Sequence, residues 1–318
     1  MPASSGASGR TVVVTGAAGF LGSYVVEQLS DAGEFEVIAT DVVQSQRAEA
    51  LAALPRVRFQ AMDLREEAAL EEIVTGADSV IHLAAVRTKA AVANPRIAYD
   101  INIGATHDLM ALAAKHSVRR FVFGSSQSVY GKFADPDAAP FREEDATIKP
   151  GLGMYAASKL AGEAFLSAFA DSGGPEYFAL RFGTIYGPRA NIDSNGGILL
   201  EVLQKLDRGE RPAIGWARDS LHNLIYVRDV AAAVVRALDA PEAGASVNVV
   251  GQPVSAENMY TTLAKLAGHD VSLLDWRDER TRYQRVSSDK LRSLLGMNTL
   301  TSLEDGLSAL IEWYRSGQ

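Results

Sequence analysis

Short apolar runs rich in Val, Ile and Phe alternate along the first 125 residues with longer stretches whose apolar positions recur every three or four residues. The runs at 11–14, 36–39, 58–61, 79–83 and 121–125 read as strands, and the stretches at 66–75 and 98–116 as amphipathic helices. Strands this apolar are covered on both faces, and helices between them imply parallel pairing. The prediction is an α/β fold: a doubly wound parallel sheet whose ligands sit at the carboxyl ends of the strands. Beyond residue 124 the pattern loosens. Residues 135–150 and 187–197 read as loops, 153–170, 199–207, 256–267 and 303–315 as helices, and 177–182 and 247–250 as strands. A smaller C-terminal α/β lobe over the carboxyl edge of the sheet fits this second half.

Composition narrows the classes. The chain of 318 residues carries a formal net charge of -8, so neither nucleic acid nor an anionic membrane is an expected partner. It has no cysteine, which excludes disulfides, thiolate nucleophiles and cysteine-ligated zinc. Residues 1–10 are small and polar and read as a disordered tail, not a signal peptide. With no apolar run near the roughly 18 residues of a membrane span, a soluble cytoplasmic protein is expected.

The segment from Thr15 to Gly22, TGAAGFLG, follows the apolar run Val12-Val13-Val14 and precedes a helical pattern through Tyr24, Val25, Val26 and Leu29. Strand, glycine turn and helix in that order mark a dinucleotide site. Gly16 permits the tight turn, Gly19 admits a pyrophosphate to the backbone, and Gly22 allows close packing of helix on strand. Phe20 and Leu21 complete the cofactor loop. Asp41 ends the second strand, where an acid accepts hydrogen bonds from ribose hydroxyls and repels a 2′-phosphate, favouring NAD over NADP. Asp63-Leu64 closes the third strand, within reach of the adenine.

Tyr155 and Lys159 stand four apart in MYAASK, which places them on one helix face with Cβ atoms about 5–6 Å apart. A free tyrosine, with a pKa near 10, is a poor base at neutral pH. A neighbouring ammonium and a positive nicotinamide favour the phenolate. Tyr155 can then exchange a proton with a substrate hydroxyl while hydride moves to or from NAD. The serine-rich segment Gly124–Gly131 follows the fifth strand, at the edge where chemistry belongs. Spacing alone does not choose among Ser125, Ser126 and Ser128.

Taken together, TGAAGFLG, Asp41, Asp63-Leu64, His82-Leu83-Ala84-Ala85, Asn102, SSQSVYG, YAASK and RFGTIYGPR resemble the extended short-chain dehydrogenase/reductase superfamily, in its NAD-dependent epimerase/dehydratase branch. The resemblance extends from Thr11 to about Asp229. It implies a Rossmann domain over residues 11–180 with a return segment near 221–240, and a substrate lobe from 181–220 and 241–318. It implies that Ser126 assists Tyr155, that Leu83, Ala84 and Ala85 line the cofactor, and that Asn102 lies below it. Lys159 would also bind the nicotinamide ribose, and Phe182 would approach the nicotinamide. Many members are homodimers through a four-helix bundle, here from the helices near 106–116 and 155–169.

The departures bear on substrate. Nucleotide-sugar 4,6-dehydratases follow the hydroxyl residue with Asp-Glu, where this chain has Gln127-Ser128, so dehydratase chemistry is not expected. Epimerases usually carry an Arg-Asp pair that grips the diphosphate, and His222-Asn223 occupies that slot. Arg218-Asp219 lies four residues earlier. Thr184 replaces a common asparagine, as in nucleotide-uronate epimerases. Candidate substrate contacts are Arg87, Ser126, Gln127, Thr184, Arg189, Arg218 and His222, with Lys89 a further cation at the pocket edge. No metal is expected, because His222 has no partner ligand at metal spacing. The leading expectation is an NAD-dependent epimerase of a nucleotide sugar. An NAD-dependent dehydrogenase of a free sugar, polyol or sugar acid is the alternative. A regulatory NAD-binding protein without turnover would have no need of Ser126, Tyr155 and Lys159 together.

Overall fold

The structure, a computed structural model, describes residues 9–131, 133, 135–192 and 196–317. Strands β1 (Arg10–Thr15), β2 (Phe35–Asp41), β3 (Val57–Ala61), β4 (Ser79–His82), β5 (Arg120–Ser126) and β6 (Glu176–Phe182) come first. They are followed by β7 (Thr184–Tyr186), β8 (Ala213–Trp216), β9 (Leu221–Tyr226), β10 (Ala245–Val249), β11 (Pro253–Ser255) and β12 (Asp275–Arg280). The helices of the first half are α1 (Phe20–Ala32), α2 (Gln46–Ala52), α3 (Glu67–Val74), α4 (Thr88–Ala93), α5 (Pro95–Tyr99) and α6 (Thr106–Lys115). Those of the second are α7 (Gly153–Asp171), α8 (Gly197–Asp207), α9 (Val227–Arg236), α10 (Ala256–Leu266), α11 (Asp289–Leu295) and α12 (Leu303–Arg315).

Seven strands form one sheet in the order β10-β6-β5-β4-β1-β2-β3. The pairs from β3 through β2, β1 and β4 to β5 run parallel. This is the doubly wound Rossmann arrangement read from the alternation of strands and helices. The strand order reverses between β1 and β4, which puts the ligand crevice at the ends of those two strands. Val12, Val13 and Val14 of β1 and Val80 and Ile81 of β4 are wholly buried. Val13, Val80, Phe121 and Phe123 share a core with Leu70 and Ile73 of α3 and Leu109 of α6.

By compactness the chain divides into two units of nearly equal length. One comprises residues 1–124, 158–179 and 234–245, the other 125–157, 180–233 and 246–318. The second contains a three-stranded sheet, β11-β9-β7, and a two-stranded one, β12-β8. No described helix is long and apolar enough to cross a membrane.

Two expectations need correction. Arg10, read as tail, opens β1 and its guanidinium bonds the Asp239 carboxylate, with Nη2 at 2.9 Å from Oδ2. The rest of that tail, residues 1–8, lies outside the described residues, as do 193–195 of the 187–197 loop. The single helix expected over 98–116 is interrupted: α5 leads into a π-helical turn, Asp100–Ala105, before α6. The turn contains Asn102, whose side chain is committed to a neighbouring loop, and π turns of this kind concentrate at functional sites.

The glycines of the first turn have separate tasks. Gly16 sits at φ 68°, in the left-handed region, and a Cβ there would lie 2.7 Å from the Ala84 nitrogen. A Cβ on Gly22 would lie 2.1 Å from the Gly16 carbonyl oxygen and 2.8 Å from the Ala17 Cα, both backbone. Gly22→Ala therefore forces α1 away from β1. The expected result is a loss of at least about 1–3 kcal/mol in urea unfolding; an unchanged midpoint would show that the loop can move aside freely.

Candidate active site

The dinucleotide end of β1 fits the group that the sequence implies. Helix α1 begins at Gly19 with no side-chain cap and no acid in its first turn. Its free N–H groups and dipole are left for an anion. A Cβ on Gly19 would meet only the Gly16 carbonyl, at 3.0 Å and 4.0 Å from its oxygen and carbon, so the outer side of that residue is open for close approach of a pyrophosphate. Phe20 and Leu21 follow in the first turn, half-buried.

Asp41, at the end of β2, accepts from the Ala18 N–H at 3.1 Å through Oδ2 and from the Val42 N–H at 2.8 Å through Oδ1. It thus braces the glycine loop, and a carboxylate has about four acceptor positions, so two remain for ribose hydroxyls. Arg47 donates to the Ala18 carbonyl at 3.3 Å. Asp63 is bound by Arg65 through both its N–H at 3.0 Å and its guanidinium, which holds the carboxyl below its usual range. Leu64, half-buried, packs on the core beneath.

A buried polar chain fixes the other wall. His82, wholly buried at the end of β4, meets Thr15 Oγ1 at 2.7 Å through Nδ1 and Thr106 Oγ1 at 2.9 Å through Nε2. Burial drives its pKa down to about 3, with the Lys159 charge adding to the effect, so the ring is neutral. Thr106 donates to the Ile101 carbonyl at 3.3 Å, which leaves its oxygen to accept from His82 Nε2–H. Thr15 in turn donates to Nδ1 and accepts from the Ala84 N–H at 3.4 Å. Asn102 accepts from the Val86 N–H at 2.7 Å and donates to the Val86 carbonyl at 2.9 Å and to Ser158 Oγ at 3.2 Å. The segment Leu83, Ala84, Ala85, half-buried throughout, is pinned at both ends by these bonds. Thr15, His82, Thr106 and Ser158 were not picked out as site residues from the sequence. His82 and Thr15 lie inside motifs, but partners 67 and 24 positions away give no local signal.

Lys159 follows Ser158 on α7 and is buried, with Nζ 4.7 Å from the centre of the Phe123 ring. Phe123 stacks on His82 at 5.9 Å on its other contact, and Gly162 leaves room for it: a Cβ there would lie 2.5 Å from the ring. Tyr155, half-buried, begins the same helix face one turn earlier.

In the second unit, Ser126 ends β5 and caps a 3-10 turn, accepting from the Ser128 N–H at 3.2 Å. The turn is anchored by Tyr130, buried, whose hydroxyl donates to Asn248 and accepts from Arg181 at 2.9 Å. Arg181 also donates to the Glu143 carbonyl at 2.6 Å, while Glu143 Oε1 accepts from the Asn248 N–H at 2.8 Å. Burial pushes the Tyr130 hydroxyl up to about 12. Gln127 Oε1 and Ser128 Oγ are buried without hydrogen-bond partners among the described residues. Phe182 and Thr184 are half-buried at the junction of β6 and β7.

The candidate cations fare differently. Arg87 and Lys89 are exposed at the start of α4. Arg189 is half-buried at φ 66°. Arg218 is held by Glu257 at 2.8 Å and lies 4.5 Å over the Trp276 ring. His222, only 6% exposed, packs edge-on against Trp216 at 4.9 Å, and its Nε2 has no hydrogen-bond partner among the described residues. No group of three or more His, Asp or Glu among the described residues is placed to hold a metal.

The family model for the NAD dependent epimerase/dehydratase family matches residues 12–251. The chain belongs to this family. Among relatives of this epimerase/dehydratase member is a putative UDP-glucose 4-epimerase of Methanocaldococcus jannaschii, 26% identical over 96% of this chain and 98% of that one. Another is a dTDP-4-dehydro-6-deoxy-D-allose reductase of a Streptomyces species, 31% identical over 97% of each. The crystal structure of Thermus thermophilus UDP-glucose 4-epimerase in complex with NAD superposes with a TM-score of 0.81, at 26% identity over 97% of this chain and 100% of that one.

The buried ammonium yields a prediction. Burial pushes Lys159 down from 10.5 to about 8, and Glu163 offsets this only in part. The folded protein therefore holds fewer protons than the unfolded chain between about pH 8 and 10.5. The resulting destabilisation is fully present below pH 8 and fades as pH rises toward 10.5. Lys159→Met should raise the unfolding free energy of the ligand-free protein in urea at pH 7 by up to about 3 kcal/mol, with a higher midpoint, and the gain should shrink at pH 10. A midpoint that falls at pH 7 would mean that the charge is net stabilising where it stands.

Proposed function

We propose that the chain is an NAD-dependent epimerase of a nucleotide sugar. The observation that carries this reading is the joint presence of Ser126, Tyr155 and Lys159 in a chain whose relatives over almost its whole length include UDP-glucose 4-epimerases. Held by the glycine loop Gly16–Gly22 and Asp41, NAD would supply reversible hydride acceptance at the sugar carbon. Tyr155 takes the proton of the sugar hydroxyl as the C–H bond breaks, and gives it back once the keto sugar has presented its other face. The Lys159 ammonium favours the phenolate form of Tyr155. A positive charge in a desolvated site does this more strongly than one in water. Ser126 donates a hydrogen bond to the carbonyl oxygen that forms. Asp41 receives the ribose hydroxyls, and its charge disfavours a 2′-phosphate.

Gln127 and Ser128, where a dehydratase needs an acid and a base, have an amide and a hydroxyl, neither of which removes a carbon-bound proton. Water elimination is therefore not part of the proposal. A second reading, oxidation of a free sugar or sugar acid with release of NADH, is favoured by one observation. The slot of the diphosphate-gripping arginine holds His222, whose burial pushes its pKa to about 4 and leaves it neutral.

The test is to incubate the protein with NAD and UDP-glucose, and separately with free sugars and sugar acids, following both NADH absorbance and sugar composition. Isomerised UDP-sugar without net NADH is expected. Stoichiometric NADH from a free sugar acid, with no isomerisation, would establish the second reading instead. Tyr155→Phe should lower kcat by 10²–10⁴-fold with little change in NAD affinity. Full activity in that variant would remove the mechanism from both readings.

A further inference from the structure

Strands β4 and β5 set an aromatic pair against α7. The two strands run parallel with His82 opposite Phe123, and side chains at opposed positions leave the sheet on the same face. Their rings stack at 5.9 Å with 19° between the planes. Phe121, two residues earlier on β5, meets His82 edge-on at 6.3 Å. Hydrogen bonds with Thr15 and Thr106 at its two ring nitrogens hold the imidazole, and the imidazole in turn backs the Phe123 ring.

Helix α7 supplies the other contacts of that ring. Lys159, buried like Phe123, puts Nζ 4.7 Å from the ring centre. Gly162 stands three residues further on, on the same helix face. A Cβ on Gly162 would lie 2.5 Å from Cζ of Phe123 and 2.8 Å and 3.3 Å from its two Cε atoms. Any side chain at 162 would therefore displace the ring on which the ammonium rests.

A cation over an aromatic face is attracted by the ring quadrupole, and more strongly where water is excluded. Water would screen the charge, and a carboxylate would cancel its field at a distance. A ring face holds the charge and leaves its field on other groups nearly whole. His82 adds no second positive charge to the stack, because burial first and the Lys159 charge second keep it neutral. Glu163, one turn on along α7, also acts on the Lys159 charge and favours it. Tyr155 stands one turn before, and His107 of α6 meets α7 farther along, at Phe165 and Phe169.

We propose that Phe123 is a positioning residue for the Lys159 ammonium: its ring face, held by His82 and fitted to Gly162, seats the charge and sets how strongly it acts one helical turn away at Tyr155. This deepens the epimerase reading, on which it rests for the proton transfer at Tyr155. The seat itself needs no substrate.

The test alters the ring without emptying its place in the core. Phe123 is replaced by phenylalanine carrying fluorine at one or at both meta carbons, which draws electrons from the ring face and barely changes its shape. Lysine is labelled at Cε, and the Lys159 resonance, absent from Lys159→Met, is followed with pH in the ligand-free protein. The wild type should titrate near pH 8. One fluorine should lower that midpoint and two should lower it further, by up to about one pH unit in all. With NAD and UDP-glucose, the same replacements should move the acid limb of kcat to higher pH at constant KM, since a less firmly held ammonium favours the phenolate less. A Lys159 midpoint indifferent to both fluorines at an unchanged melting temperature overturns the seat, as does a wild-type midpoint near 10.5. A midpoint that falls while the kcat profile stays in place overturns the action on Tyr155. A stepwise fall in a protein that isomerises nothing would keep the seat and sink the epimerase. Isomerisation with an indifferent midpoint would do the reverse.

Discussion

One neutral imidazole holds the dinucleotide half of the fold in register. His82 joins the end of β1, through Thr15, to the start of α6, through Thr106, in a space from which water is excluded. Each hydroxyl has a second commitment, to the Ala84 N–H and to the Ile101 carbonyl, so the tautomer is dictated and the direction of every bond follows. The residues on either side are those that the sequence motifs assign to the cofactor: Gly16 after Thr15, Leu83 to Ala85 after His82, Asn102 after Ile101. A protonated ring has no acceptor for Thr15, which is why burial that keeps His82 neutral is also what keeps the glycine loop in place. The π turn belongs to the same device. It carries Asn102, which grips Val86 from both sides and Ser158 besides.

The unit that rigidity serves contains a charge set where it costs stability. Lys159 is desolvated against Phe123, itself stacked on His82. An ammonium in such a place costs stability, and in the mechanism proposed above its field on the Tyr155 phenol is screened little. Arg282 in the second unit is likewise desolvated, with the Arg280 charge beside it. Desolvated charges of this kind concentrate at functional sites. Around the Ser126 turn, Arg181, Tyr130, Glu143 and Asn248 are bonded to one another.

What the sequence disclosed and what it hid divide along a physical line. Period and punctuation disclosed the Rossmann strands to within a residue or two. They also gave α12 at 303–315, where Ser302 accepts from the Asp305 N–H and the apolar stripe runs unbroken to Arg315. Backbone necessity disclosed Gly16 and Gly22, because a turn at φ 68° and a helix at contact distance admit no Cβ. The π turn was hidden, and the partner of its Asn102 side chain lies in a loop 16 residues away. Arg218 looked like a spare phosphate ligand because it forms an Arg-Asp pair in sequence, yet its guanidinium faces Glu257, 39 residues on. Arg280 and Arg282 were hidden in a run of mixed charges, WRDERTRYQR, that reads as a solvated face. Only the break at Asp278 and the pairing with β9 turn them onto Trp216.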